Sequence, residues 1–266
     1  MSESNHIVNQ LPGSLKIEIK GSALLVGLHR EKKRNAINDE IIFGMEKILT
    51  NIPDAVKCLI IYGEGKHFSA GVDLSELKEQ SDPLVGLLHS RMWHRILDAV
   101  QFGKVPVIAV LHGAVLGGGL ELASAAHIRV AEPTAFYALP EGQRGIFVGG
   151  GGSVRIPKLI GAARMTDMML TGRVYNAQEG MAIGLSQYLV EEGSGLVKGL
   201  ELAEKIASNA PMVNYALMHI LPRIAEASHE QALMMESLIA SLTKNTPEAR
   251  DRLQHFLEGN AKKVGE

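Results

Sequence analysis

The segment Gly113-Ala-Val-Leu-Gly-Gly-Gly-Leu-Glu-Leu-Ala-Ser124 constrains the fold more than any other. It sets three consecutive glycines and one carboxylate inside an apolar run. Glycine loses the most backbone freedom on ordering, and an unpaired buried carboxylate is costly. The segment follows the apolar stretch Pro106–Leu111, which reads as a buried strand, and precedes the helix-like Leu120–Ala126. N–H groups at a helix start are unpaired and carry the positive end of the dipole. Bare glycines would let a ligand oxygen reach them and an oxyanion be stabilised there. Alternatively, the glycines only permit a tight strand-to-helix turn.

A second loop has the same setting. Gly63-Glu-Gly-Lys-His-Phe-Ser-Ala-Gly-Val-Asp73 follows the buried strand Cys58–Tyr62 and leads into a helix. It offers a second backbone donor near Gly71-Val72, so that two turns can aim amides at one point. A phosphate-binding P-loop is excluded, because Ile60 stands where its first glycine belongs. A third element, Ala138-Leu-Pro-Glu-Gly-Gln-Arg-Gly145, carries Glu141 in a loop and is followed by Gly149–Gly152. Glu121 and Glu141 are too far apart in sequence to share a helix face, so only the tertiary fold can pair them. Paired carboxylates can hold one water and divide acid and base duties. Taken singly, Glu141 reads equally well as an exposed loop carboxylate and Glu121 as a polar position on a half-exposed helix.

The surrounding pattern predicts an α/β fold. Leu15–Lys20 alternates and pairs with Ala23–Leu28 as a hairpin; Asn38 caps a helix to about Asn51; residues 83–102 are helical. His127–Val130 and Thr134–Ala138 are short strand candidates. Strands that are apolar throughout imply largely parallel sheets covered by helices. From residue 194 the strand signals stop, and helical segments at 194–209, 212–227, 228–243 and 247–258 are bounded by Pro211, Pro222 and Pro247. This divides the chain into a core, residues 1–193, and a C-terminal helical region, residues 194–266.

Other features mainly exclude. A net charge of −2 argues against a nucleic-acid or anionic-membrane footprint. No apolar run reaches the roughly 18 residues of a membrane span. Residues 1–10 lack the basic start and apolar core of a signal peptide, and the lone Cys58 reads as a buried structural thiol, so a cytoplasmic setting is expected. No His, Cys or carboxylate set has metal-ligand spacing, so no metal is expected. No Gly-x-Ser-x-Gly elbow occurs. His89, Trp93 and His94 read as a packed helix face.

Together Phe68-Ser-Ala-Gly-Val-Asp73, Gly117-Gly-Gly-Leu-Glu121 and Leu139-Pro-Glu141 resemble the crotonase (enoyl-CoA hydratase/isomerase) superfamily, hydratase branch. The resemblance spans nearly the whole chain. It implies a spiral of ββα units with a C-terminal helical region that forms homotrimers or hexamers. It implies an acyl-CoA substrate, coenzyme A being part of that substrate and no separate cofactor being needed. By motif position, the oxyanion amides would be those of Val72 and Gly118, flanked by Gly71 and Gly117. Ala70 would meet the adenine, Lys32 and Lys33 the CoA phosphates, and Phe256 the CoA across a trimer, with Asp73 closing the first motif. Glu121 and Glu141 would flank the water, adding it across the 2,3-double bond of a 2-enoyl-CoA. Leu84–Trp93 would shape the acyl pocket.

Relatives commonly have Pro where Val148 stands, and a basic residue where Gly259 stands, so that contact would pass to Lys262 or Lys263. The methylthioacryloyl-CoA hydratases, in which hydration is followed by thioester hydrolysis, look similar. Enoyl-CoA isomerase, acyl-CoA thioester hydrolase and a non-catalytic acyl-CoA-binding protein are the alternatives. A glycosidase is disfavoured by a single Trp and 5% aromatic residues.

Overall fold

A computed structural model describes residues 11–77 and 82–259. The chain divides into two compact units, residues 1–205 and 206–266.

In the first unit, β1 (Leu15–Lys20) and β2 (Ala23–Leu28) form an antiparallel hairpin with Leu15 opposite Leu28. Only β1 alternates, because one of its faces meets solvent. From β2 onward the sheet runs parallel through β3 (Cys58–Gly63), β4 (Val107–Leu111), β6 (Ile128–Ala131) and β9 (Tyr188–Leu189). All six residues of β2 and all five of β4 are buried, as parallel strands covered on both faces must be.

A second sheet joins β5 (Ala114–Leu116), β7 (Phe136–Ala138) and β8 (Tyr175–Asn176) in that order. The chain thus passes from a strand of the first sheet to one of the second and then into a helix, the expected ββα rhythm. β5 has only three residues and sits within the glycine segment, where no periodicity can reveal it.

Helix α1 (Asp39–Thr50) is capped by Asn38, whose side chain accepts the Ile41 N–H. α2 (Leu74–Leu77) follows the first glycine loop; α3 (Pro83–Gln101) has Asp82 as its cap; α4 (Gly118–Ala125) is buried throughout. The sequence pattern left the next helices unassigned: α5 (Gly152–Ile160), α6 (Ala162–Thr171) and α7 (Ala177–Ile183). Glycines at Gly151, Gly161, Gly172 and Gly184 end or start these short helices and obscure their periodicity.

α8 (Gly195–Ala207) packs on the first sheet. Its Gly195 N–H donates to the buried Glu132, and a side-chain carbon at Gly199 would lie 3.2 Å from Val110. The compact core therefore extends twelve residues beyond the expected boundary at 193. The second unit holds α9 (Pro211–His219), α10 (Leu221–Ile224), α11 (His229–Lys244) and α12 (Pro247–Leu257), with a break before Pro222. Arg252 ties α12 to the Ser208 carbonyl.

Candidate active site

The first glycine loop is stitched along both edges. Ser69 N–H donates to Ala114 O and Leu116 N–H to Ser69 O, joining the loop to β5. On the other side Ile37 N–H donates to Gly71 O and Asp73 N–H to Ile37 O, each at 2.8 Å. This pattern skips the Val72 N–H, which meets no acceptor among the described residues. Gly71 has φ +95°, and a Cβ there would lie 2.8 Å from Leu116 O and 3.3 Å from Gly118 N. The two glycine motifs therefore touch, and only a residue without a side chain permits it.

Gly117 caps α4 with φ +49°, and a Cβ on it would lie 2.5 Å from Glu141 Oε1. Its N–H is satisfied by Ala138 O. The next amide, Gly118 N–H, opens the helix and likewise meets no acceptor among the described residues.

Glu121 lies one turn into α4 and is 2% exposed. Its Oε1 accepts the Gly150 and Gly152 N–H groups, both at 2.8 Å. Burial pushes its carboxyl up from the usual range, while these amides and the Arg155 guanidinium pull the other way. Glu141 is 7% exposed, and its buried Oε2 has no hydrogen-bond partner. Burial raises its carboxyl to about 7, with the nearby Glu121 adding to it, against the opposing effects of its own backbone N–H and of Arg144. The pair differs in surroundings: Glu121 Oε1 takes two amides from the glycine strap, whereas Glu141 Oε2 is buried without a partner.

Both carboxylates line one cavity of about 230 Å³ together with Ala70, Gly71, Val72, Gly117 and Gly118. That cavity brings seven of the eleven site residues expected from sequence to one place. The others lie elsewhere. Asp73 is outside the lining; it binds Arg30 at 2.9 Å and Ser75 through both Oγ and N–H. Ser75 and Arg30 hold its carboxyl down to about 2, so it acts as a latch on the loop. Lys32 and Lys33 sit on an exposed turn beside a separate depression. Phe256 belongs to the second unit and is 57% exposed. Lys262 and Lys263 lie outside the described residues.

Leu74, Arg144, Ile146 and Phe147 line the cavity without having been singled out in the sequence, while Gly86, His89, Ser90 and Trp93 of α3 fall within the Leu84–Trp93 stretch expected to shape the acyl pocket. The spacing of His89 and Trp93 does reflect packing, since Trp93 is buried, but the same face is the cavity wall. Val148 is buried and lines it too.

Among the described residues the fold assembles a carboxylate and imidazole group that spacing did not reveal, His29, Glu31 and Glu64, with ligand atoms within 4.8 Å of one another. Glu64 there already accepts the Tyr62 hydroxyl and lies 3.7 Å from the Lys16 ammonium.

A family model described as enoyl-CoA hydratase/isomerase matches residues 18–264. The chain is 32% identical to a probable enoyl-CoA hydratase of Bacillus subtilis (strain 168), covering 84% of this chain and 88% of that one. It is 30% identical to a short-chain-enoyl-CoA hydratase of Clostridium acetobutylicum, covering 91% and 94%. The crystal structure of a putative enoyl-CoA hydratase from Rhodopseudomonas palustris CGA009 superposes with a TM-score of 0.91 at 56% identity, covering 93% and 96%.

Proposed function

Since the chain belongs to the enoyl-CoA hydratase/isomerase family, we propose that it is an enzyme adding water across the 2,3-double bond of a 2-enoyl-CoA. The observation that carries this reading is the meeting of two unengaged amides and two buried carboxylates in one cavity. The Val72 and Gly118 N–H groups receive the thioester oxygen as it gains negative charge. Loss of one such donor typically costs 100- to 1000-fold, about 3–4 kcal/mol.

Glu121, whose amide partners favour the anion, takes a proton from water as its oxygen bonds to C3. Glu141, held neutral to about pH 7, delivers a proton to C2. The double-bond electron pair ends in the new C2–H bond. One proton passes from Glu121 to Glu141 to reset the pair. An isomerase needs no second carboxylate, so the elaborate holding of Glu121 favours hydration.

Lys32 and Lys33 are proposed to meet the CoA phosphates, and no cofactor beyond the substrate's own coenzyme A is invoked. Their replacement by Ala should raise KM and spare kcat, the mark of uniform binding. A short acyl group is proposed, and methylthioacryloyl-CoA, with thioester cleavage after hydration, rests on the sequence resemblance. Incubating the enzyme with enoyl-CoAs of graded length tests the assignment, following loss of the conjugated thioester, appearance of hydroxyacyl product and release of free thiol. Hydroxyacyl-CoA formation supports it. Double-bond migration without hydroxyl product, or thiol release from substrates that cannot be hydrated, replaces it with the isomerase or hydrolase reading.

A further inference from the structure

The catalytic assignment leaves unexplained a row of polar side chains on α3. Ser90, His94, Asp98 and Gln101 are spaced by four, four and three residues and so share one helix face. All four lie against the strap Gly149–Arg155. Ser90 Oγ donates to Gly149 O at 2.6 Å, and Asp98 and Gln101 accept from Arg155 Nη2 and Nε at 2.5 and 2.7 Å. His94 Cδ2 would be 3.7 Å from a Cβ on Gly151. Arg155, itself buried, donates through Nη1 to Gly150 O at 3.2 Å.

A trans peptide plane points its C=O and N–H in opposite directions, so holding one end aims the other. The plane joining Gly149 and Gly150 has its carbonyl held by Ser90 and its N–H on Glu121 Oε1. The plane joining Gly151 and Gly152 has its carbonyl held by the Val154 and Arg155 amides and its N–H on the same oxygen. Between them, the Gly150 carbonyl is held by the Arg155 guanidinium. Three successive planes are thus fixed from behind. Gly151 has φ +93°, and a Cβ there would strike Arg155 Nη1, so the strap cannot relax toward an ordinary side chain.

We propose that Arg155, braced by Asp98 and Gln101 and assisted by Ser90, is a positioning residue that keeps the Gly150 and Gly152 amides aimed at Glu121 and supplies the cation behind its charge. This deepens the hydratase reading and rests on it. Arg155 on α5 acts on Glu121; Glu141, Arg144 and His89 of α3 line the same cavity, with Arg144 acting on Glu141; Asp98 acts on Arg155, and His94 packs on Gly151. Of these, Arg155 is the cation that favours the Glu121 anion.

The test compares Arg155→Gln, Arg155→Lys, Ser90→Ala and Asp98→Asn with wild type over the pH dependence of kcat and KM for crotonyl-CoA. A [13C]carboxyl NMR titration of Glu121 is run alongside. Arg155→Gln should lower kcat by up to about 100-fold, the cost of a misplaced catalytic group, with KM unchanged. Its acid limb should move to higher pH, because the lost cation no longer favours the anion. Arg155→Lys should restore part of that shift. Ser90→Ala should lower kcat without moving the limb, since it removes no charge. Arg155→Gln that melts like wild type and keeps both its kcat and its acid limb overturns the proposal. If that variant does not fold, Asp98→Asn decides: a reduced kcat with a displaced limb supports the proposal, and wild-type behaviour overturns it. Should wild type hydrate no enoyl-CoA, the hydratase reading fails, while the Glu121 titration still tests the proposed action of Arg155.

Discussion

Glu141 shows how much a single residue's surroundings decide. Its unpartnered Oε2 and burial hold the carboxyl near 7 instead of near 4.5. As the proton donor in hydration it must be neutral, so kcat/KM should fall as pH rises through about 7; Glu141→Gln should lower turnover and abolish that limb. The same shift acts on stability. A carboxyl whose folded value is raised destabilises the fold only where the unfolded chain ionises it. The cost is absent below about pH 4.5, complete above about 7, and amounts to about 3 kcal/mol. Glu141→Gln should therefore melt higher than wild type at pH 8 and alike at pH 4, as followed by calorimetry. Sequence disclosed both glutamates only through the three motifs taken together, since each taken singly reads equally well as an ordinary polar position. It could not disclose that Asp73 faces Arg30, since a motif gives the residue type and only the fold gives the direction.

At the scale of elements, the site is made by backbone contact between two strand-to-helix turns. Gly71 lies against Leu116 and Gly118, and a Cβ on Gly118 would come within 2.8 Å of Val72 and 3.2 Å of Trp93. Gly118→Ala should force these walls apart and cost catalysis about as much as losing an oxyanion donor, 100-fold or more in kcat. Ser153→Ala, at an exposed position within the strap whose side chain holds none of its three fixed peptide planes, should leave kcat unchanged. Steady-state kinetics on both variants checks this. The hairpin, α1 and α3 were legible because each spans enough residues to show a period and a cap. β5, β8 and β9 have three or two residues each, too few for alternation, and exist through tertiary pairing. The strap was legible as a glycine run but not as a clamp, because Ser90 and Asp98, which hold it and its Arg155, are distant in sequence and each looks like an ordinary surface residue.

For the whole molecule, the parallel sheet was legible from its apolar strands, while the boundary near residue 193 reflected where strands end. Packing places it after Lys205, because α8 covers the sheet. In the second unit Met234, Leu238 and Leu242 repeat every four residues on α11 and are all exposed, a stripe suited to self-association. The proposed trimer or hexamer predicts a light-scattering mass of three or six times the 28.7 kDa chain, lowered toward one chain by Leu238→Glu. A wild-type mass of one chain would remove that assignment and leave the cavity chemistry untouched. The central claim, that two freed amides hold a thioester while two acids share one water, is tested most directly with crotonyl-CoA in heavy-oxygen water. Wild type should place one labelled oxygen on C3, and Glu121→Gln and Glu141→Gln should each slow this at least about 100-fold with little change in KM. Unlabelled product, or either variant turning over like wild type, would contradict the account.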